Sequence, residues 1–267
     1  MKIGTKLIGT ILAVGLGLAG IANAKDWKKI RIGVEGAYPP FSEMGTDGKL
    51  VGFDIDIANA LCQEMKAKCK LVAQDWDGLI PALNARKFDA IIASMSITEE
   101  RKRKVAFSQK YYQTPARFVR KTGDAYDPNQ PKTLKGQKVG VQRGTTHERF
   151  IKETFGELLD VKTYATQDEA YLDMVAGRIQ LLIADSVAIH TGFLKTTRGS
   201  QYEFVGPEYT DAKFFGEGNG VAMRKSDGEL QKKFNNAILA IRKNGVYESI
   251  RKKYFAFDIY GQELPTH

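Results

Sequence analysis

Apolar positions along this chain recur with two different periods, and the periods take turns. Residues 30–34 alternate apolar and polar side chains, as a strand does. Gly36-Ala37-Tyr38-Pro39-Pro40-Phe41 must be a loop, because adjacent prolines stop a helix and a central strand alike. Residues 45–49 read as a turn. From Asp54 to Met65, the residues Ile55, Ala58, Leu61, Cys62 and Met65 trace one face of a helix. Residues 71–73 form a short strand. Asp77 stands where a cap would open a helix through Leu79, Ile80 and Leu83. Residues 90–93 are a buried strand. The alternation resumes with strands at 138–141, 161–164 and 181–184, and with helices at 148–155 and 168–176. A strand at 220–224 and helices at 229–243 and 246–254 complete the pattern.

Strands alternating with helices predict an α/β chain of mostly parallel sheets flanked by helices. Two breaks interrupt the alternation, at Tyr112-Gln113-Thr114-Pro115 and at 207–216. They predict a discontinuous first lobe, 25–113 with 213–267, and a second lobe, 114–212, inserted into it. Strands crossing near Thr114-Pro115 and near Thr210 would form a two-strand hinge.

The first residues change the picture of where the chain works. Lys2 and Lys6 precede an apolar run from Leu7 to about Ile21, which ends in Ala22-Asn23-Ala24. Basic, apolar and small residues in that order predict a secretory signal peptide, 1–24, cut after Ala24. A spanning helix needs ~20 apolar residues, and this run is shorter and broken by glycines. The net charge is +9, from which Lys2 and Lys6 subtract two to leave +7. The basic residues are dispersed among 31 acids, so solvated faces explain them better than a nucleic-acid surface does. Cys62 and Cys69 are a lone close pair. In an oxidising compartment such a pair predicts a disulfide, here tying a helix end to the next strand. His147, His190 and His267 are too scattered for a metal site, and no cofactor is expected.

Ligands of open α/β sheets sit past the carboxyl ends of strands, and those ends carry the chemistry. After the strand ending at Ala93 come Ser94, Ser96, Glu99 and Arg101. Ser96 and Glu99 have capping-box spacing, so a helix start favouring an anion is expected there, with Arg101 able to fork onto a carboxylate. After Val141 and Gln142, Thr145 and Glu148 repeat the spacing next to Gly144 and Thr146. Two such starts facing across a cleft would hold a carboxylate from both sides. Asp185, after the strand at 181–184, can pair with an ammonium; its plainer role is to cap the helix from Ser186. Glu35 and Tyr38, three residues apart, can receive a cationic side chain on an aromatic face, and Trp76 offers a second ring. Core packing is the commoner fate of such rings. Asp54 is ambiguous between the site and a cap of its own helix, and the sequence leaves the contributions of Asp54, Gln142 and His147 to the site open.

Several motifs then carry a resemblance. They are Gly-Phe-Asp-Ile-Asp at 52–56, Trp-Asp-Gly-Leu-Ile-Pro-Ala-Leu at 76–83 and Phe-Asp-Ala-Ile-Ile-Ala-Ser-Met-Ser-Ile-Thr at 88–98. Arg101, Val-Gly-Val-Gln-Arg-Gly-Thr-Thr at 139–146 and Gly-Val-Tyr-Glu-Ser-Ile-Arg-Lys-Lys-Tyr-Phe at 245–255 join them. Together they resemble the periplasmic polar amino-acid-binding proteins of ABC importers, above all the lysine/arginine/ornithine-binding and histidine-binding proteins. The resemblance spans the whole chain after residue 24 and implies the two-lobed periplasmic-binding-protein-like fold. It implies that Arg101, Ser94, Ser96 and Thr146 grip an α-carboxylate. Asp185, with Ser94 or Ser96, would take the α-ammonium. Glu35 would meet a distal positive group, with Tyr38 and Trp76 flanking the aliphatic part. The paired cysteines of those proteins stand where Cys62 and Cys69 are. Three positions depart from the pattern. Ala93 replaces a Ser, leaving only a backbone contact; Glu35 replaces an Asp, shortening the room for the ligand's tip; His147 replaces an amide.

The resemblance implies a periplasmic monomer that closes on arginine, lysine or ornithine, with histidine as a further candidate, and hands it to the permease subunits of an ABC transporter. A guanidino-acid opine is the alternative cargo within the same family. An enzyme on the same fold, such as a periplasmic dehydratase, is the rival class. It would need an acid or base aimed at a reacting centre, and only Glu35 offers itself, with no nucleophile–base pair, no Gly-x-Ser-x-Gly elbow and no zinc motif.

Overall fold

A computed structural model describes residues 25–261, so the leader read at 1–24 lies outside the described residues. The chain enters through β1 (Lys29–Val34) and a small antiparallel sheet of β2 (Ala37–Tyr38), β3 (Ser42–Met44) and β4 (Leu50–Val51). Helix α1 (Phe53–Glu64), β5 (Lys68–Ala73), α2 (Leu79–Asn84), β6 (Ala90–Ile91), α3 (Glu99–Lys102) and β7 (Ala106–Tyr112) follow. The chain then passes to β8 (Ala116–Lys121), β9 (Lys138–Gln142), α4 (Thr146–Phe155), β10 (Asp160–Tyr164), α5 (Gln167–Val175), β11 (Leu181–Asp185), α6 (Ser186–Ile189) and β12 (Tyr202–Tyr209). It returns through α7 (Ala212–Phe215) to β13 (Asn219–Met223), α8 (Gly228–Lys243) and α9 (Val246–Tyr254).

Two five-stranded sheets result, ordered β5-β1-β6-β13-β7 and β10-β9-β11-β8-β12. In each, the first three strands run parallel, and the fourth is antiparallel to both neighbours. Four of five strands in each sheet therefore point the same way, and the two sheets share one plan. The chain crosses between them at Gln113–Pro115 and again after Tyr209.

Alternation within the strands fixes what each face buries. Ala90 and Ile92 join Ile30, Ile32 and Val34 under α1 and α8, whereas Ile91 and Ala93 join Leu79, Leu83 and Phe88 under α2. In the second sheet, Val139, Val141 and Ile183 pack on Phe150 and Phe155 of α4, while Leu182 and Ala184 pack on Tyr171 and Met174 of α5. Phe214 of α7 is buried in that α4 cluster, with Phe215 packed against it. Core contacts of the second lobe therefore reach past residue 212, where the sequence boundary was drawn.

Helix α1 starts at Phe53 because Gly52, at φ 128°, admits no side chain: a Cβ there would lie 2.4 Å from the Phe41 carbonyl oxygen. Asp54 is not its cap. The disulfide Cys62–Cys69 joins α1 to β5, as the pairing predicted. Among the described residues, no helix is long and apolar enough to cross a membrane.

Candidate functional site

A cavity opens between the two sheets, with about 310 Å³ of empty space that includes the solvent at its mouth. Nine of the ten residues singled out from sequence line it: Glu35, Tyr38, Trp76, Ala93, Ser94, Ser96, Arg101, Thr145 and Thr146. Gln142 and His147 line it as well. The strand-end rule explains the gathering, since these residues follow β1, β5, β6 and β9.

The helix starts behave differently from each other. Thr145 caps α4, its Oγ1 accepting from the Glu148 N–H at 3.2 Å, while the Glu148 carboxylate accepts from the Gly144 N–H at 2.6 Å. Gly144 holds φ 71°, the left-handed turn expected of it. Ser96 caps nothing. It bridges Asn219, and Ile97 donates to the Gly218 carbonyl, so β13 keeps this stretch extended. The cap is Thr98, whose Oγ1 accepts from the Arg101 N–H, and α3 has four residues. A single turn aligns few peptide dipoles, so Arg101 itself must supply the positive charge on this side. Asp77 is no cap either: its carboxylate takes the Arg143 guanidinium at 2.6 Å.

Arg101 is 9 % exposed, and its guanidinium stacks 5.1 Å from the Trp76 ring. It donates to the carbonyls of Ser96 at 3.1 Å and Gly144 at 3.5 Å, and among the described residues no carboxylate pairs with it. Burial pushes it down to about 10. Three carboxylates around the cleft mirror this. Burial pushes Glu35 up to about 7 against a hydrogen bond from Gln142, and Asp54 and Asp75 raise it further. Burial raises Asp54 to about 7 and Asp185 to about 6, in each case against hydrogen bonds that favour the ionised form. Burial, helped by the Arg101 charge, pushes His147 down to about 3, which keeps its ring neutral. In and around the cleft there are thus one desolvated cation and three desolvated acids, none of them in an ion pair among the described residues.

Asp185 stands outside the cavity lining. Its Oδ1 accepts from the Val187 and Ala188 N–H groups at 2.8 and 3.1 Å, capping α6, and its Oδ2 takes the Thr114 hydroxyl. The plainer role read from sequence is therefore realised.

The model of the bacterial extracellular solute-binding proteins, family 3, matches residues 30–257. The chain belongs to that family. An L-arginine-binding protein of Pseudomonas aeruginosa is 54% identical, over 96% of this chain and 99% of that one. The lysine/arginine/ornithine-binding periplasmic protein of Escherichia coli is 43% identical, over 96% of this chain and 98% of that one. Among solved structures, a periplasmic binding protein of Salmonella typhimurium with high arginine specificity superposes with a TM-score of 0.79. It is 34% identical and covers 86% of this chain and 100% of its own.

For a member of this family, the residues whose part in the site the sequence left open are as instructive as those it singled out. Asp54 reaches from the first turn of α1 to accept from Ser94 Oγ and Tyr111 Oη, both at 2.9 Å. Gln142 donates across the cleft to Glu35 at 2.5 Å. A signal for Gln142 existed: it is a buried polar residue at the carboxyl end of a parallel strand, where ligands of open α/β sheets sit. Asp54 gave none, because an acid in a first turn has an ordinary dipole role.

Proposed function

We propose that this protein is a periplasmic carrier of a basic amino acid, arginine foremost, and that it delivers its cargo to the permease subunits of an ABC transporter. One observation carries the reading: the cavity sets the buried Arg101, with which no carboxylate among the described residues pairs, against the desolvated carboxylate of Glu35, while the desolvated Asp54 and Asp185 stand outside its lining. A zwitterion with a second positive group supplies a carboxylate for Arg101 and two cations for the acids, Asp54 being held by the Ser94 and Tyr111 hydroxyls. Its carboxylate would lie on Arg101, Ser94, Ser96 and Thr146, with the amide groups around Thr145 at the start of α4. Its α-ammonium would lie toward Asp185 and the Ser94 or Ser96 hydroxyl, and the backbone at Ala93. Its distal cation would meet Glu35 between Tyr38 and Trp76. Leaving out either end of such a ligand would strand a buried charge, which is the basis of selectivity.

In this reading the leader is removed after Ala24, the mature protein is a monomer, and the hinge lies at Thr114-Pro115 and near Thr210. Lobe 1 is then 25–113 with the C-terminal part, and lobe 2 runs from 114 to the end of α7. The protein is a carrier and not an enzyme. Glu35, the one acid in the cavity lining, is engaged by an amide that relays no proton, and the relatives named above are binding proteins.

Calorimetric titration of refolded protein with the twenty amino acids, ornithine and an opine tests this. Tight one-to-one binding of a basic amino acid, weakened at least a hundredfold in Arg101→Ala, is expected. Preference for acidic or apolar amino acids would overturn the role given to Glu35. Binding of the opine alone would move the cargo to guanidino acids.

A further inference from the structure

Gln142 ends β9 with 3 % of its surface exposed, and it lines the cavity beside Glu35. Its Nε2 donates to Glu35 Oε1 at 2.5 Å and to the backbone oxygen of Ala165 at 3.2 Å. Both partners are acceptors, so the amide can be oriented only one way: its nitrogen faces them and spends both of its N–H groups. The amide oxygen keeps its full accepting capacity, and among the described residues no donor engages it. Glu35 also commits one oxygen, Oε1, and retains Oε2. Two hydrogen-bonded side chains with unused accepting capacity therefore stand together in the cavity lining, one from each lobe.

We infer that Gln142 is a specificity-determining residue, which together with Glu35 selects a guanidinium over an ammonium at the distal end of the ligand. The inference rests on the basic-amino-acid reading above and narrows it to arginine ahead of lysine and ornithine. A guanidinium is flat and carries five N–H donors in a fixed fork, so it can serve two separated acceptors at once. It is also the more weakly hydrated cation and loses less on leaving water. A lysine ammonium is a compact, strongly hydrated charge whose three donors diverge; facing Glu35, it leaves the amide oxygen without a well-aligned donor. Ornithine, one carbon shorter, reaches less far still. Because Glu35 and Gln142 belong to different lobes, the same fork would also join the lobes.

The test is the preference ratio, Kd for lysine over Kd for arginine, measured by calorimetry on the wild type and on Gln142→Met, which keeps the length and removes both the amide donor and the acceptor. The ratio should fall about tenfold or more, the loss of one hydrogen bond to a charged group, with lysine affinity changed less than arginine affinity. An unchanged ratio overturns the inference, as does a wild type that binds lysine as tightly as arginine. Taking both constants on one sample cancels any unfolded fraction, and Gln142→Leu serves if the methionine variant does not fold. A wild type that binds no basic amino acid overturns the carrier reading, and the wild-type titration alone reveals that failure.

Discussion

Ser94 holds φ 52°, a left-handed conformation that is uncommon for a residue with a side chain. Its surroundings over-determine it: the Ser94 N–H donates to Tyr111 Oη at 3.3 Å, and its Oγ donates to Asp54 at 2.9 Å. Strain of this kind gathers at functional sites, and here it aims a cavity-lining residue. Asn at position 54 offers one oxygen where the carboxylate offers two, so either Ser94 or Tyr111 loses its acceptor. Asp54→Asn should weaken ligand binding about tenfold, the worth of one buried hydrogen bond, while leaving the fold intact by circular dichroism. The acids also make binding depend on pH. Glu35 is raised from 4.5 to about 7, so in the empty closed form its contribution to stability is full below pH 4.5 and is lost as pH rises to about 7. A cationic ligand reverses this by favouring the ionised carboxylate. The rise in melting temperature on adding arginine should therefore grow from pH 5 to pH 7.5. In Glu35→Gln the growth should flatten, with Asp54 and Asp185 keeping the remainder. An equal rise at both pH values in the wild type would mean that Glu35 faces no cation.

Among the elements, the disulfide is the simplest to remove. Cys62 and Cys69 close a short loop from α1 to β5, and neither lines the cavity. The double variant to serine should lose ~2–3 kcal/mol in the chain-entropy description, read as a lower denaturation midpoint, with arginine affinity unchanged. The elements also show how far the sequence could be read. Helices α8 and α9 and strand β11 were legible to within a residue, the helices because their apolar positions repeat with the helical period and the strand because it is a short continuous apolar run. The second sheet's parallel strands were legible for the same reason. The starts of α1 and α3 were not. Gly52 outranks Asp54 because the approach of the Phe41 carbonyl is a tertiary fact, and Thr98 outranks Ser96 because β13 pairs with the stretch before it. The cavity residues were found because each follows a strand end. The part of Gln142 was left open because its meaning lies in a partner, Glu35, that is 107 positions away.

At the scale of the whole molecule, the two lobes meet through charges as well as through the cavity. Asp77 takes Arg143 at 2.6 Å, and Glu100 takes Arg149 at 3.4 Å, each pair joining one lobe to the other. These pairs sit at the rim and are largely solvated, so each is worth ~0.2–1 kcal/mol and is screened by salt. They act only when the lobes are together, so they bias the open–closed equilibrium rather than the fold, and a ligand that requires closure inherits that bias. Asp77→Asn with Glu100→Gln should weaken arginine binding about threefold to tenfold at low ionic strength, and the gap from wild type should shrink near 1 M salt, where the screening length is ~3 Å. The charges buried in the cavity are screened far less, so the wild type should retain most of its affinity under the same conditions. Small-angle scattering should show that the variant still contracts on adding ligand. A gap that does not shrink with salt would place the loss in the cavity and remove the rim pairs from the closing mechanism.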